Sequence, residues 1–292
     1  MITRITRIIL FFLICVPVVF GIFAELAVAQ GNIYGSVSNS DMTVPANGQI
    51  AFVGFLDGTD EEIRIESCIG AGYDNGNWYD DFQNYLTEAA GNPYEYRYFN
   101  ADNHEGAILT GLIPNNSFEQ ENIQLSLSDW PDPPDTVYGV FLPDTTIELS
   151  WPGQSGLTCR IYRRSASSGG SLFRIDDPSG STTNPGTADS VFIDTDIDYD
   201  GSYAYLIIPL NNGIMGRPAG LITVRKICGD IDSNGRLNLL DAVYLINYLY
   251  KGGPEPVNPD VVDMDGRARI NILDSVYLIN YLYRGGPEPA CD

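Results

Sequence analysis

Residues 230–241 read Asp-Ile-Asp-Ser-Asn-Gly-Arg-Leu-Asn-Leu-Leu-Asp. Oxygen-bearing side chains fall at positions 1, 3, 5, 9 and 12 of this run: Asp230, Asp232, Asn234, Asn238 and Asp241. Gly235 stands at position 6 and Leu237 at position 8. This layout suits a divalent cation. Alternate side chains converge on one point, the carbonyl of position 7 (Arg236) adds an oxygen, and glycine permits the sharp turn. An all-oxygen donor set selects Ca2+ over metals that prefer sulfur or imidazole. Position 12 carries Asp241 where Glu is usual, and the shorter side chain reaches an ion if the entering helix is repositioned or absent. A second run, residues 263–274, keeps positions 1, 3, 9 and 12 as Asp263, Asp265, Asn271 and Asp274. Its position 5 is Arg267 and its position 6 is Ala268, with Gly266 two places early. A cation at position 5 opposes a bound cation, so this site is expected to be weak, distorted or empty. The plain alternative for either run is a solvated acidic turn.

The loops belong to an internal repeat. Residues 238–256 read NLLDAVYLINYLYKGGPEP, and residues 271–289 read NILDSVYLINYLYRGGPEP, an offset of 33. A repeat fixes local architecture before anything else does. Each copy predicts an acidic loop, a helix over about 240–250 or 273–283, and a Gly-Gly-Pro stop. Leu245, Ile246 and Leu249 share one helix face, repeated by Leu278, Ile279 and Leu282. Helices this short are unstable alone, so the copies must pack together.

A duplicated calcium loop and helix, without the entering helix, resembles a type I dockerin. The resemblance covers 228–292. It implies that calcium holds the two loop–helix units in register and that the module docks onto a cohesin-like module of a scaffold or cell-surface protein, as in cellulosomes. It also places partner-reading residues at the tenth and eleventh loop positions, here Leu239, Leu240, Ile272 and Leu273. Many cellulosomal dockerins carry hydroxyl residues there, so these aliphatic pairs imply a more apolar contact. The near identity of the copies implies binding in two orientations related by a pseudo-twofold. Cys228 and Cys291 bracket the module and are expected to pair as a clasp.

Residues 1–29 have the three-part pattern of a secretory signal peptide: Arg4 and Arg7, an apolar run from Ile8 to Phe23, and Ala27-Val28-Ala29. The alternative is an uncleaved anchor, which Glu25 and the short run disfavour. Cleavage removes two Arg, one Glu and Cys15, taking the net charge from −22 to −23. No later stretch is long and apolar enough to span a membrane, so the mature chain is expected to be secreted or held at the cell surface. Four cysteines remain, an even number that suggests disulfides outside the cell. Cys68 and Cys159 either pair across two domains or stay buried thiols. The strongly acidic balance leaves no basic face for nucleic acid. The single histidine, His104, has no nucleophile beside it in sequence and is expected on an exposed turn.

The elements that precede the tail read as β-structure. From 135 to 226, short alternating runs at 146–151, 159–164, 190–194, 203–208 and 220–224 are separated by Gly, Ser, Pro and Asn clusters, which favours an antiparallel sandwich. With Trp151 ending an early strand and the Tyr203–Tyr205 pair in a late one, this segment resembles a fibronectin type III domain. Over 30–130, strands are expected at 33–37, 49–56 and 62–67. Trp130-Pro131-Asp132-Pro133-Pro134 reads as a stiff linker over 131–134. Residues 73–85 mix aromatic rings with Asp and Asn. They either contact a sugar or form a loop and short helix whose Trp78, Phe82 and Tyr85 pack inward. The fold class is therefore mainly β: two antiparallel β-sandwich domains followed by a small all-α duplicated calcium loop–helix module. Residues 30–227 hold 27 acidic and 9 basic residues, so carboxylate pairs arise by chance, and Gly153-Gln154-Ser155-Gly156 is not a nucleophile elbow. The reading is an exported, non-catalytic modular protein linked to polysaccharide degradation. The alternatives are a carbohydrate-binding accessory protein and a glycoside hydrolase with an unrecognised site.

Overall fold

The computed structural model describes residues 31–56, 58–82, 90–115, 117–127, 129–142, 146–197, 201–267 and 269–291. The expected leader at 1–29, residues 83–85 and Ala268 lie outside the described residues. The chain is mainly β, with two α-helices at its C-terminal end.

The first half is two sheets face to face. One runs in the order Ala71–Asp74, Asn77–Asp81, Asn32–Ser38, Phe118–Gln120, with Ile123–Gln124 beside the same central strand. The two pairings of Asn32–Ser38 with the later strands are parallel. The other sheet runs Ser126–Leu127, Glu105–Leu112, Pro93–Asn100, Ile50–Leu56, Glu62–Ile65, all antiparallel. Strict alternation sends Ile33 and Val37 inward. They join Phe52, Trp78, Tyr96 and Tyr98, whose ring centroids lie 5.2–6.4 Å apart.

The segment at 73–81 is a hairpin, not a loop and helix. Asn75 and Gly76 both take positive φ (47° and 84°), the primed turn that an Asn-Gly pair favours. Trp78 and Phe82 are fully buried as expected, but period-2 alternation carries Tyr79 to the outer face. His104 also departs from expectation. It sits at φ 53° on a turn, half-buried, and stacks on Trp130 at a centroid distance of 4.0 Å.

The second half puts three strands, Tyr138–Leu142, Thr146–Ser150 and Val191–Asp194, over a sheet built from Leu172–Arg174, Thr158–Ser165, Ser202–Asn211, Ile214–Met215 and Ile222–Arg225. Its core gathers Ile147, Leu149, Trp151, Ile161, Tyr205 and Ile207, and Tyr205 donates its hydroxyl to Asp194 (2.7 Å). The halves share one sheet. Leu172 and Phe173 pair with Ile63 and Glu62, an edge-to-edge join that leaves neither edge open. Asp60 and Arg160 form a buried ion pair at this joint, and Tyr162, Leu206 and Ile208 enter the first half's core. Pro133 and Pro134, at the expected linker, are buried against the body. Cys68 and Cys159 are separate buried thiols. Burial pushes both up, Cys159 to about 11.

The tail holds helix α1 (Leu239–Lys251) and helix α2 (Ile272–Arg284). Both stop at a left-handed glycine, Gly252 (φ 67°) and Gly285 (φ 68°), the conformation that glycine adopts without a Cβ clash. Ala242 and Ser275, equivalent in the repeat, are fully buried where the helices meet, and the Ser275 hydroxyl donates to the Ala242 carbonyl. Leu245 and Leu278 are fully buried beside them, while Ile246, Leu249, Ile279 and Leu282 are partly buried. A Cys228–Cys291 disulfide closes the ends, with Cα atoms 5.5 Å apart.

Candidate calcium and docking site

Each loop is wound by its own carboxylates. Asp241, fully buried, accepts backbone N–H bonds from Ile231 (2.9 Å) and Asp232 (3.3 Å) on Oδ1 and from Asn238 (2.8 Å) on Oδ2. Asp230 accepts from Asn234 (3.1 Å) and Gly235 (2.8 Å), and Asp232 accepts from Asn234 (3.2 Å). Ser233 and Gly235 take positive φ (56° and 77°) to make the turn. Asn238 caps α1: its Oδ1 accepts from Leu240 N (2.8 Å), its Nδ2 donates to the Arg236 carbonyl (3.2 Å), and Asp241 completes the capping box.

The second loop repeats this bonding. Asp274 accepts from Met264 (3.0 Å) and Asn271 (2.9 Å). The Arg267 backbone N–H donates to Asp263 (3.1 Å) and Asp265 (3.2 Å), as Asn234 does to its own pair. Gly266, with φ 66°, occupies the place of left-handed Ser233. The glycine two places early therefore serves one of the two left-handed positions of the first loop. The Arg267 side chain swings outward, 71% exposed, with Nε 3.6 Å from Asp265.

In the first loop, carboxylate oxygens of Asp230, Asp232 and Asp241 lie within 4.8 Å of one another, and in the second those of Asp263, Asp265 and Asp274 do. Oxygens each about 2.4 Å from one Ca2+ are at most about 4.8 Å apart, so both triads have the separation that one such ion requires. Three converged carboxylates repel one another. Burial first, with the Asp241 and Asp232 charges added, pushes Asp230 up to about 6 against the Gly235 and Asn234 amides. Burial also raises Asp241 and Asp274. A divalent cation relieves that repulsion, and the hard-oxygen donors match calcium. Of the other expected ligands, Asn234 Oδ1 accepts from Arg236 N (2.9 Å), and Asn238 and Asn271 are committed to helix caps.

Beside the loops runs a repeated exposed stripe. Leu239, Leu240 and Leu273 are exposed, and Ile272 is half-buried. The stripe extends further than the loop positions suggest. Val243 and Tyr250 continue it on α1, and Val276 and Tyr283 continue it on α2, all exposed. They stand three and ten residues after Leu240 and Leu273, on the same helix face. Their signal in the sequence was identity between copies at positions that the buried face does not use.

Residues 228–283 match the family model of the dockerin type I domain. No curated protein matches the chain. Among solved structures, the chain is similar to a cytokine receptor complex at 10% identity and TM-score 0.26, covering 61% of this chain and 87% of that one. It is similar to the FN1–FN3 domains of chicken CNTN1 at 12% identity and TM-score 0.26, covering 68% of each chain. A Bacteroides uniformis protein described as carbohydrate binding is similar at 11% identity and TM-score 0.25, covering 67% of this chain and 99% of that one. Superpositions this loose carry no functional weight. No described helix is long and apolar enough to cross a membrane.

Proposed function

We propose that this chain is an exported, non-catalytic modular protein that docks through residues 228–292 to a cohesin-like module on a scaffold or cell surface, within extracellular polysaccharide degradation. The observation that carries the reading is the duplicated loop–helix tail matching the dockerin type I domain, with both carboxylate triads converged. Ca2+ is held by Asp230, Asp232 and Asp241 in the first loop, with Asn234 and the Arg236 carbonyl beside them. Asp263, Asp265 and Asp274 hold a weaker ion in the second, because Arg267 brings a positive charge to its rim. Asn238 and Asn271 act by capping the helices. Bound calcium supplies the charge that locks each loop, and the chain's residues then fix α1 and α2 as a pair. Leu239, Leu240, Ile272 and Leu273, with the stripe along each helix, meet the partner. Residues 30–130 and 135–226, joined by Tyr162, Leu206 and Ile208 in the first core, are the cargo or spacer, with 131–134 between them. The leader at 1–29 directs export, which the Cys228–Cys291 disulfide supports.

The full chain, immobilised, is exposed to the source cell's surface fraction with calcium and then with chelator. A cohesin-like protein retained only with calcium, and lost when Leu240→Asp and Leu273→Asp are combined, is the expected result. Retention that ignores either change overturns the docking reading. Turnover of model glycosides by the chain would overturn the non-catalytic one.

A further inference from the structure

The outer face of the first sheet is unusual for its aromatic content. Tyr34 and Tyr79 are directly paired across neighbouring strands, 42% and 48% exposed. Phe118, 74% exposed, lies on the adjoining strand one row along, opposite Asn32. Strands are spaced about 4.8 Å apart and same-face residues about 7 Å along a strand. The three rings therefore cover a patch the width of three strands.

The rings do not all stand upright. A Cβ placed at Gly72, the cross-strand partner of Tyr79, would meet the Tyr79 ring at 2.7–3.0 Å. The phenol ring therefore leans across the bare glycine and stays half-exposed. A ring held this way is a stacking surface rather than an anchor that fills a pocket. Around it stand Asn77, Asp81 and Gln120, in register with Ser36, Asn32 and Tyr34. They offer neutral amide donors and acceptors plus one carboxylate.

The charge of this face selects the occupant. Residues 31–130 contain two arginines, Arg64 and Arg97, no lysine, and His104, which stacks on Trp130. Arg64 is fully buried, and Arg97 lies on the other sheet. A face with acid and no base repels polyanions, and two copies of it repel each other. Rings flanked by amides suit a neutral polyhydroxylated chain whose sugar C–H faces stack and whose hydroxyls take the hydrogen bonds.

We infer that the Tyr34–Tyr79–Phe118 face binds a neutral polysaccharide. This deepens the polysaccharide link proposed above but does not depend on the calcium tail, which makes the two separable. The full chain is run on native gels containing hydroxyethylcellulose, xyloglucan, galactomannan or arabinoxylan, with polygalacturonate as the anionic control. Each gel is run with calcium and again with chelator. Retardation by at least one neutral polymer is expected, unchanged by chelator and abolished by Tyr34→Ala, Tyr79→Ala and Phe118→Ala combined. Tyr79→Phe keeps the ring and is expected to keep the retardation. Circular dichroism establishes that the triple variant is folded, and the single Tyr79→Ala variant serves if it is not. Four outcomes each overturn the inference: no retardation by any of the four polymers, equal retardation of the folded triple variant, retardation by polygalacturonate alone, or a dimer that Tyr79→Ala dissociates.

Discussion

The two proposed calcium loops share carboxylates at positions 1, 3 and 12 but differ at position 5, and that difference is expected to set a measurable affinity gap. Arg267 keeps the two amide bonds that its counterpart Asn234 makes, so its backbone role is intact and the change at this position lies in its side chain. Its side chain is 71% exposed, with Nε 3.6 Å from Asp265. An ion held by Asp265 would lie about 6 Å from that charge, where a divalent and a monovalent cation repel by about 1.4 kcal/mol in a water-like dielectric. Physiological salt reduces this to about 0.7 kcal/mol, and competition for Asp265 adds at most another ~1 kcal/mol for so exposed a pair. Replacing Arg267 by Ala removes both effects, and the second site is then expected to bind calcium about three- to twentyfold tighter. Arg267→Asn also restores an oxygen and tightens it further. Calorimetric titration of the full chain should resolve two classes of site, and only the weaker one should move. Equal second-site affinity in wild type and both variants would show that side-chain charge does not govern this loop.

Removing a carboxylate tests the first loop. Asp230→Ala with Asp241→Ala should eliminate the tighter calorimetric phase, and an unchanged phase would disprove the ligand assignment. The Cys228–Cys291 bridge closes 63 residues, and loop-entropy arguments assign it about 4 kcal/mol. Cys228→Ser with Cys291→Ser should accordingly raise amide exchange throughout α1 and α2 in chelator, with the β core unaffected. Acidity acts on the ion-free tail in an uncommon direction. Asp230, near 6 when folded and 3.8 as a free side chain, binds its proton more tightly in the native state. Its contribution is therefore full below about pH 4 and is lost as pH rises through about 6. Hydrogen exchange in chelator should show a tail better protected at pH 4.5 than at 7.5, with the difference reduced in Asp230→Asn. Calcium binding should weaken below pH 6 as protons compete for the same oxygens.

The tail was legible because its signals are local and doubled. Ligand spacing, caps and glycine stops lie within 33 residues of one another and are written twice, so Asn238 with Asp241 and Asn271 with Asp274 announce the same helix start. In the second loop, the position of Gly266 gains its meaning from the structure. Counted against the first loop, it looks misplaced, yet it serves the left-handed position that Ser233 holds with more strain. In the β halves, the runs at 146–151 and 203–208 became strands because alternation and β-branched content agree. The strands at 93–100 and 105–112 were missed: PYEYRYFN alternates aromatic with charged residues, and its inward rings are identifiable only by the Phe52 and Trp78 they meet. The Asn75-Gly76 pair was readable as a hairpin turn, but the i, i+4, i+7 spacing of Trp78, Phe82 and Tyr85 drew the reading towards a helix. Nothing short-range could have shown Leu172 pairing with Ile63 across more than a hundred residues.

That pairing bears on what docking would accomplish. If residues 30–130 and 135–226 were joined only by a flexible segment, a docked tail would leave the first half free to swing. The Leu172–Ile63 ladder, the buried Asp60–Arg160 pair and the side chains lent to the first core oppose such motion. Breaking that pair would leave one buried charge without its partner, a change costed at several kcal/mol. At the other joint, Asn258, buried in the tail, donates its amide to the Phe141 carbonyl (3.4 Å), and the Asp230 loop begins only four residues after Lys226. Each joint in the chain is therefore held by contacts as well as by sequence. A partner that captures α1 and α2 would hold the sheet face bearing Tyr34 and Tyr79 at a set distance and angle from itself, which is the property that separates a rigid display arm from a tether.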